Sequence, residues 1–196
     1  MRLRSLLTAA FLLSVPLAEG AQAQATSMPT FHAPVRGFGS WEFGVTLSRP
    51  GGGSTGLEAR YGVALGRSDL ALRAGYVEPR GTAEGTFAIG AEARVPVLGR
   101  TPTFPLDGSL ILGLGYLLDP EQAVIPLGLS LGRQIVLDRN ALRITPYVQP
   151  TVVFVSDALF SVGLGVDIHI RGIPNIRLTW AFVDMDGFSV GAFWPR

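Results

Sequence analysis

Three side chains within one short segment have the types that hydrolases use. Asp167 and His169 lie two residues apart, and Ser161 precedes them. A serine activated by a histidine that an aspartate orients can cleave esters and amides. In an extended strand, however, Ser161 would lie roughly 25 Å from His169 at ~3.3 Å per residue. We therefore predict no catalytic residue, no cofactor and no metal site, and expect Asp167 and His169 to join a hydrogen-bond network.

The composition excludes several other functions. The chain has 196 residues with 25 glycines, no cysteine and a formal net charge of +1. The near-neutral charge disfavours nucleic-acid binding, which depends on neutralising phosphates. A chain with 47% hydrophobic residues is not expected to be disordered. All 16 basic residues are arginine, so a lysine-covered soluble surface is absent.

The first 25 residues have the features of a secretory signal peptide. Arg2 and Arg4 precede an apolar run over 6–18, and small residues follow at Ala23 and Ala25. Cleavage after either alanine fits this pattern. We then expect residues 26–37 to form a periplasmic N-terminal tail in which His32 is exposed to solvent.

From residue 38 onward, apolar and small or polar residues alternate with a period of two, as in Trp41, Phe43, Val45 and Leu47. Turn residues divide this pattern into about ten strands, although eight remain possible. The predicted strands are 38–48, 56–66, 69–78, 84–95, 107–118, 122–136, 141–155, 157–170, 174–183 and 187–194. The pattern predicts an all-β, antiparallel up-and-down barrel over 38–194. Pro126, Pro146 and Pro150 fall inside strands, where we expect bulges or open pairing.

The charged residues within the strands fall almost entirely on the face that carries glycine, alanine, serine and threonine, and only Arg133 departs from this. A membrane would impose this distribution, because an arginine facing hydrocarbon costs about 2–4 kcal/mol at the midplane. We therefore predict a transmembrane barrel with its apolar face outside. The predicted lumen charge network consists of Glu42, Arg60, Arg73, Glu92, Arg94, Arg143, Asp167, His169 and Arg177.

Outward aromatic residues cluster at the two ends of the predicted strands, as in the aromatic girdles of membrane barrels. Seven are expected near the extracellular ends and two near the periplasmic ends. The first set is Tyr76, Phe87, Tyr116, Phe154, Phe160, Phe182 and Phe188, and the second is Trp41 and Trp194.

The final segment, 187–194, alternates in aromatic residues and ends on Trp194, with Pro195 and Arg196 following. Together with the alternation over 38–194, this final segment makes the chain resemble the small outer-membrane β-barrel proteins of Gram-negative bacteria. The resemblance implies an outer-membrane location, contact with lipids and lipopolysaccharide, and recognition of the last strand by the barrel-assembly machinery. The two residues after Trp194 depart from the family's pattern.

These features predict a structural or narrow-pore, porin-like membrane protein whose lumen an arginine–carboxylate network plugs. Two alternatives remain at this stage. One is an outer-membrane lipid-modifying or hydrolytic enzyme, and the other is a soluble secreted ligand-binding barrel.

Overall fold

The computed structural model describes residues 26, 28, 30–81, 84–137 and 142–196; the predicted signal peptide lies outside these residues. Alternating apolar and small residues form eleven strands there, joined mostly by short turns. The strands are β1 (Trp41–Pro50), β2 (Thr55–Leu65), β3 (Ser68–Glu78), β4 (Thr86–Leu98), β5 (Asp107–Leu118), β6 (Glu121–Gly132), β7 (Ile135–Leu137), β8 (Leu142–Phe154), β9 (Ala158–Ile170), β10 (Asn175–Val183) and β11 (Gly187–Pro195). A short 3₁₀ turn, Gly51–Gly53, joins β1 to β2.

The strands form a closed antiparallel barrel of ten, as predicted. β6 and β7 pair with β8 in one continuous register and together form a single strand of the barrel, matching the predicted strand 122–136. β1 pairs with β11 from Glu42 opposite Pro195 to Pro50 opposite Gly187, which closes the sheet. The backbone N–H of Gly39 donates to the Arg196 carbonyl oxygen at 2.9 Å, so both ends of the barrel sequence lie at one end of the barrel.

The prolines interrupt the ladders where expected. Pairing between β5 and β6 stops beside Pro126, and pairing between β6 and β8 stops beside Pro150. β6 and β7 are separated opposite Pro146, where Arg133 N–H still donates to the proline carbonyl at 3.3 Å. The register resumes unchanged after each gap, because a proline removes one donor without adding a residue. Among the described strands, one register shift occurs, between Pro96 and Leu98 in β4.

The outer face of the barrel is apolar and the inner face is small or charged. Large side chains point outward from the middle of the strands, for example Leu72 at 61% exposed and Leu114 at 59%. Most of the charges that alternate with them are buried, because they point into the lumen. Among the described residues, no helix is long and apolar enough to cross a membrane.

The segment before β1 lies inside the barrel rather than outside it. Thr26, Met28, Phe31 and Ala33 are at most 1% exposed. The prediction that His32 is exposed to solvent is wrong, since only 2% of this residue is accessible. The described residues 26, 28 and 30–34 of this stretch, expected to be a tail on the periplasmic side, lie in the lumen because its walls offer partners that the alternation pattern alone does not reveal.

Candidate functional site: the filled lumen

One chain of ion pairs runs across the first four strands. Arg60 on β2 donates to Glu42 on β1 at 2.9 Å and lies 3.7 Å from Asp69 on β3. Asp69 in turn accepts from Arg94 on β4 at 2.6 Å. These side chains are at most 5% exposed, so each charge depends on its neighbours rather than on water.

A second chain lies beside the first. Arg73 on β3 contacts Glu58 on β2 at 2.7 Å and Glu92 on β4 at 2.9 Å. Thr30 of the lumen segment reaches the same group, since its hydroxyl contacts both Arg73 and Glu58. Thr26 also donates to Glu58. The inserted segment therefore donates hydrogen bonds to the Glu58 carboxylate in addition to those from the wall.

His32 connects opposite walls of the barrel. Its Nε2 lies 3.0 Å from Glu92 Oε1 on β4, and its Nδ1 lies 2.6 Å from the Arg177 guanidinium on β10. Arginine can only donate, so Nδ1 is the acceptor and the neutral ring carries its proton on Nε2, facing the carboxylate. β4 and β10 are five strands apart in a ring of ten, and Arg177 continues the chain to Asp167 at 2.7 Å.

Side chains of the lumen hold the backbone of the segment. A segment without regular secondary structure needs partners for its buried N–H and C=O groups. The side-chain oxygen of Gln149 accepts a hydrogen bond from the His32 N–H at 3.1 Å. Four other wall side chains donate to backbone carbonyl oxygens of the segment: Ser130 to His32 at 2.5 Å, Tyr147 to Phe31 at 2.9 Å, Ser109 to Pro34 at 2.6 Å, and Arg94 to Ala33 at 2.7 Å. The wall is thus complementary to this particular stretch of chain.

Glycines in the wall make room for the segment. Phe31 packs with Val124, Val153 and Tyr147 in the buried apolar cluster of the lumen. A Cβ on Gly163 of β9 would overlap the Phe31 ring, so the absence of a side chain at this position is what seats the phenyl group. This stretch is therefore fixed by shape as well as by charge.

The predicted network residues do not all meet. Seven take part in the ion pairs: Glu42, Arg60, Arg73, Glu92, Arg94, Asp167 and Arg177. Arg143 forms no ion pair within the described part of the chain, and His169 bonds only to Asn175. Two network residues were not predicted from the sequence. Asp69 could have been found, because its position in the alternation places it on the lumen face, but His32 lies outside the alternating pattern, which therefore gave no indication of its role.

The possible hydrolase group does not assemble. Ser161 donates to the Phe182 carbonyl at 3.3 Å, Asp167 accepts from Arg177, and His169 contacts Asn175. Each side chain has a different partner, so no histidine is placed to activate the serine. Within the described residues, no group of three or more histidine, aspartate or glutamate side chains could hold a metal ion.

The aromatic residues lie at the strand ends. The seven expected at one level are within two residues of the end of a strand, at the barrel end away from Arg196. At the other end, Trp41 stacks near Tyr61 and Trp194 near Phe43, each with ring centroids 6.1 Å apart. Tyr61 and Phe43 were not among the predicted aromatics, although both share their outward parity.

No protein-family model matches the sequence, and no curated protein matches it. Among solved structures, the chain is similar to one described as the de novo design of transmembrane β-barrels. The two share 9% sequence identity with a TM-score of 0.42, over 81% of this chain and 97% of the designed one.

Glu92→Gln tests the buried network. Removing the Glu92 charge leaves Arg73 with Glu58 as its one remaining carboxylate and places a neutral amide opposite His32, and we expect a loss of about 3 kcal/mol in the free energy of unfolding. Asp107→Asn is the control, because its partner Arg100 is 47% exposed and such a pair contributes at most about 1 kcal/mol. Denaturant unfolding in detergent measures both. Equal losses in the two variants would contradict the network.

Gly163→Val tests the seat of Phe31. Overpacking against the ring should cost about 1–3 kcal/mol of unfolding free energy. The same substitution in a Phe31→Ala background should cost almost nothing, because the overlapping ring is gone. Gly99→Val serves as the control, since nothing lies within 4 Å of a Cβ there. Additive effects at Gly163 and Phe31 would show that the ring does not lie against this glycine.

Proposed function

We propose that the protein is an integral outer-membrane β-barrel with a structural role, whose lumen is sealed by its own N-terminal segment. The observation that carries this proposal is the seating of residues 30–35 in the lumen, with their backbone groups bonded to five wall side chains. A wall that binds its own chain so completely is built to be filled rather than to conduct a solute.

The membrane location is supported by the outer face. Apolar side chains such as Leu47, Leu72 and Ile89 are all more than half exposed in the middle of the wall. In water such a surface would drive association, whereas hydrocarbon solvates it. Closure through β1 and β11 leaves no unpaired edge, as a spanning sheet requires. Aromatic residues at both ends suit the two interfaces.

The proposed location in the cell rests on features of the sequence. The predicted signal peptide favours export, and a barrel that crosses a membrane after export suits the outer membrane of a Gram-negative bacterium. The outer face would contact lipids and lipopolysaccharide. The last strand, Gly187–Pro195, would be the segment that the assembly machinery recognises, and it is the strand that closes the barrel.

A catalytic role is not part of the proposal. The side chains that resembled a hydrolase group are engaged separately with Phe182, Arg177 and Asn175. A soluble ligand-binding barrel is also disfavoured, because a lumen occupied by Phe31 and His32 has its binding surface already in use.

Leu72→Arg compared with Leu65→Arg tests the membrane location. Both leucines are similarly exposed, at 61% and 57%, but Leu72 is central in β3 and Leu65 ends β2. In a bilayer the central arginine should cost about 2–4 kcal/mol of unfolding free energy and the terminal one at most about 1. Unfolding from lipid vesicles measures this difference. Small, equal effects would indicate a barrel that lies in water.

Conductance in a planar bilayer tests the sealed lumen. The wild-type protein should form no steady channel, because the segment occupies the lumen. A variant with residues 26–36 deleted should conduct, since the charged wall would then be open to water. Arg171→Gln, in an exposed turn, is the control and should stay silent. Large, steady wild-type channels would overturn the proposal, as would a folded deletion variant that never conducts.

A further inference from the structure

A second polar site lies at the mouth of the barrel, apart from the network in the lumen. A pocket of about 340 Å³ opens at the end where Gly39 meets Arg196, and its charged lining is basic. Arg36, Arg143, His169 and Arg196 supply the polar side chains, and Phe38 and Pro195 supply apolar surface. Among the described residues, no aspartate or glutamate lines this pocket.

Arg143 is the central group. It lies directly opposite His169 in the register of β8 and β9, so two nitrogen-bearing side chains face each other across the pair. Its Nε is buried, yet finds no hydrogen-bond partner in the part of the chain that the structure describes. A buried donor of a charged group without an acceptor is costly, and a bound anion would supply the acceptor.

The other basic groups keep their positive charge available. Arg36 donates to the carbonyl oxygens of Phe38, Gly66 and Ser68, which position the guanidinium without neutralising it. The Arg196 carbonyl oxygen accepts from the N–H groups of Gly39 and Ser40. Even counting a carboxylate at Arg196, the described lining of the pocket sets three guanidinium groups against one negative charge.

The nearest carboxylate on the same strand is already engaged. Asp167 lies two residues before His169, and Arg177 donates to both of its oxygens at 2.8 and 2.7 Å. His169 Nδ1 is bonded to Asn175, which leaves Nε2 as the ring nitrogen without a hydrogen bond to the described residues. The described lining of the pocket therefore carries several donors and no aspartate or glutamate side chain.

We propose that this pocket binds a phosphate-bearing small molecule, with the phosphate group on Arg143, Arg36 and Arg196. Several planar donor groups that line one pocket match the oxygens of a phosphate better than they match a single carboxylate. The volume exceeds that of inorganic phosphate, so a small organic group attached to the phosphate has room beside Phe38 and Pro195. The ligand could be a free phosphomonoester or the headgroup of a phospholipid.

Calorimetric titration of the whole protein in a phosphate-free non-ionic detergent tests the site. Inorganic phosphate is the first probe, and a short-chain phosphatidic acid below its micelle concentration is the second. Saturable binding of phosphate in the millimolar range or tighter is expected. Phosphatidic acid binding at least tenfold more tightly than phosphate would identify a lipid headgroup, and equal binding would identify a free phosphate compound.

Arg143→Gln should weaken binding of either probe at least tenfold, because it removes the charge and the unpartnered Nε. Arg171→Gln is the matched control at the same barrel end, outside the pocket lining, and should change affinity less than twofold. Arg196→Gln should weaken binding several-fold and gives an independent variant if Arg143→Gln does not fold. The proposal is overturned if the wild-type protein shows no saturable binding at about 10 mM phosphate, or if folded Arg143→Gln binds as the wild type does.

Discussion

Charge that is withdrawn from water must find a partner of opposite charge, and the interior of this barrel is organised around that requirement. Arg73 lies between Glu58 and Glu92, Asp69 between Arg60 and Arg94, and Arg60 between Glu42 and Asp69, so these three charges each have two neighbours of opposite sign. Such pairing offsets the desolvation of each group, which would otherwise cost several kcal/mol. The inserted segment links this network to the far wall through the neutral imidazole of His32.

Charge pairing alone would not fix a unique position for the inserted segment, and glycines in the wall provide the space that its side chains occupy. Gly163 accommodates Phe31, and Gly75 lies where a side chain would overlap Met28. Tyr147 similarly occupies the space beside Gly165, from where its hydroxyl reaches the Phe31 carbonyl. The high glycine content of the chain therefore serves the packing of the lumen as well as its turns.

Much of the fold could be predicted from the sequence because strands have a simple period. The alternation around Trp41 or Leu72 determines which side chains face outward, and closure of the barrel then places Glu42 and Arg73 in one lumen. The partner of each charge could not be predicted in this way, since pairing depends on register across several strands. Arg143 has the correct parity but lies at the mouth, and the nearby Asp167 is already paired with Arg177.

The position of His32 could not be predicted, because the segment that carries it has no periodicity, and its surroundings come from elsewhere in the chain. Its contacts are 60 residues away at Glu92 and 145 residues away at Arg177, and they lie on opposite walls. Both walls have to be in place before the imidazole can contact them together. Simultaneous contact of His32 with Glu92 and Arg177 therefore marks a barrel in which β4 and β10 already face each other.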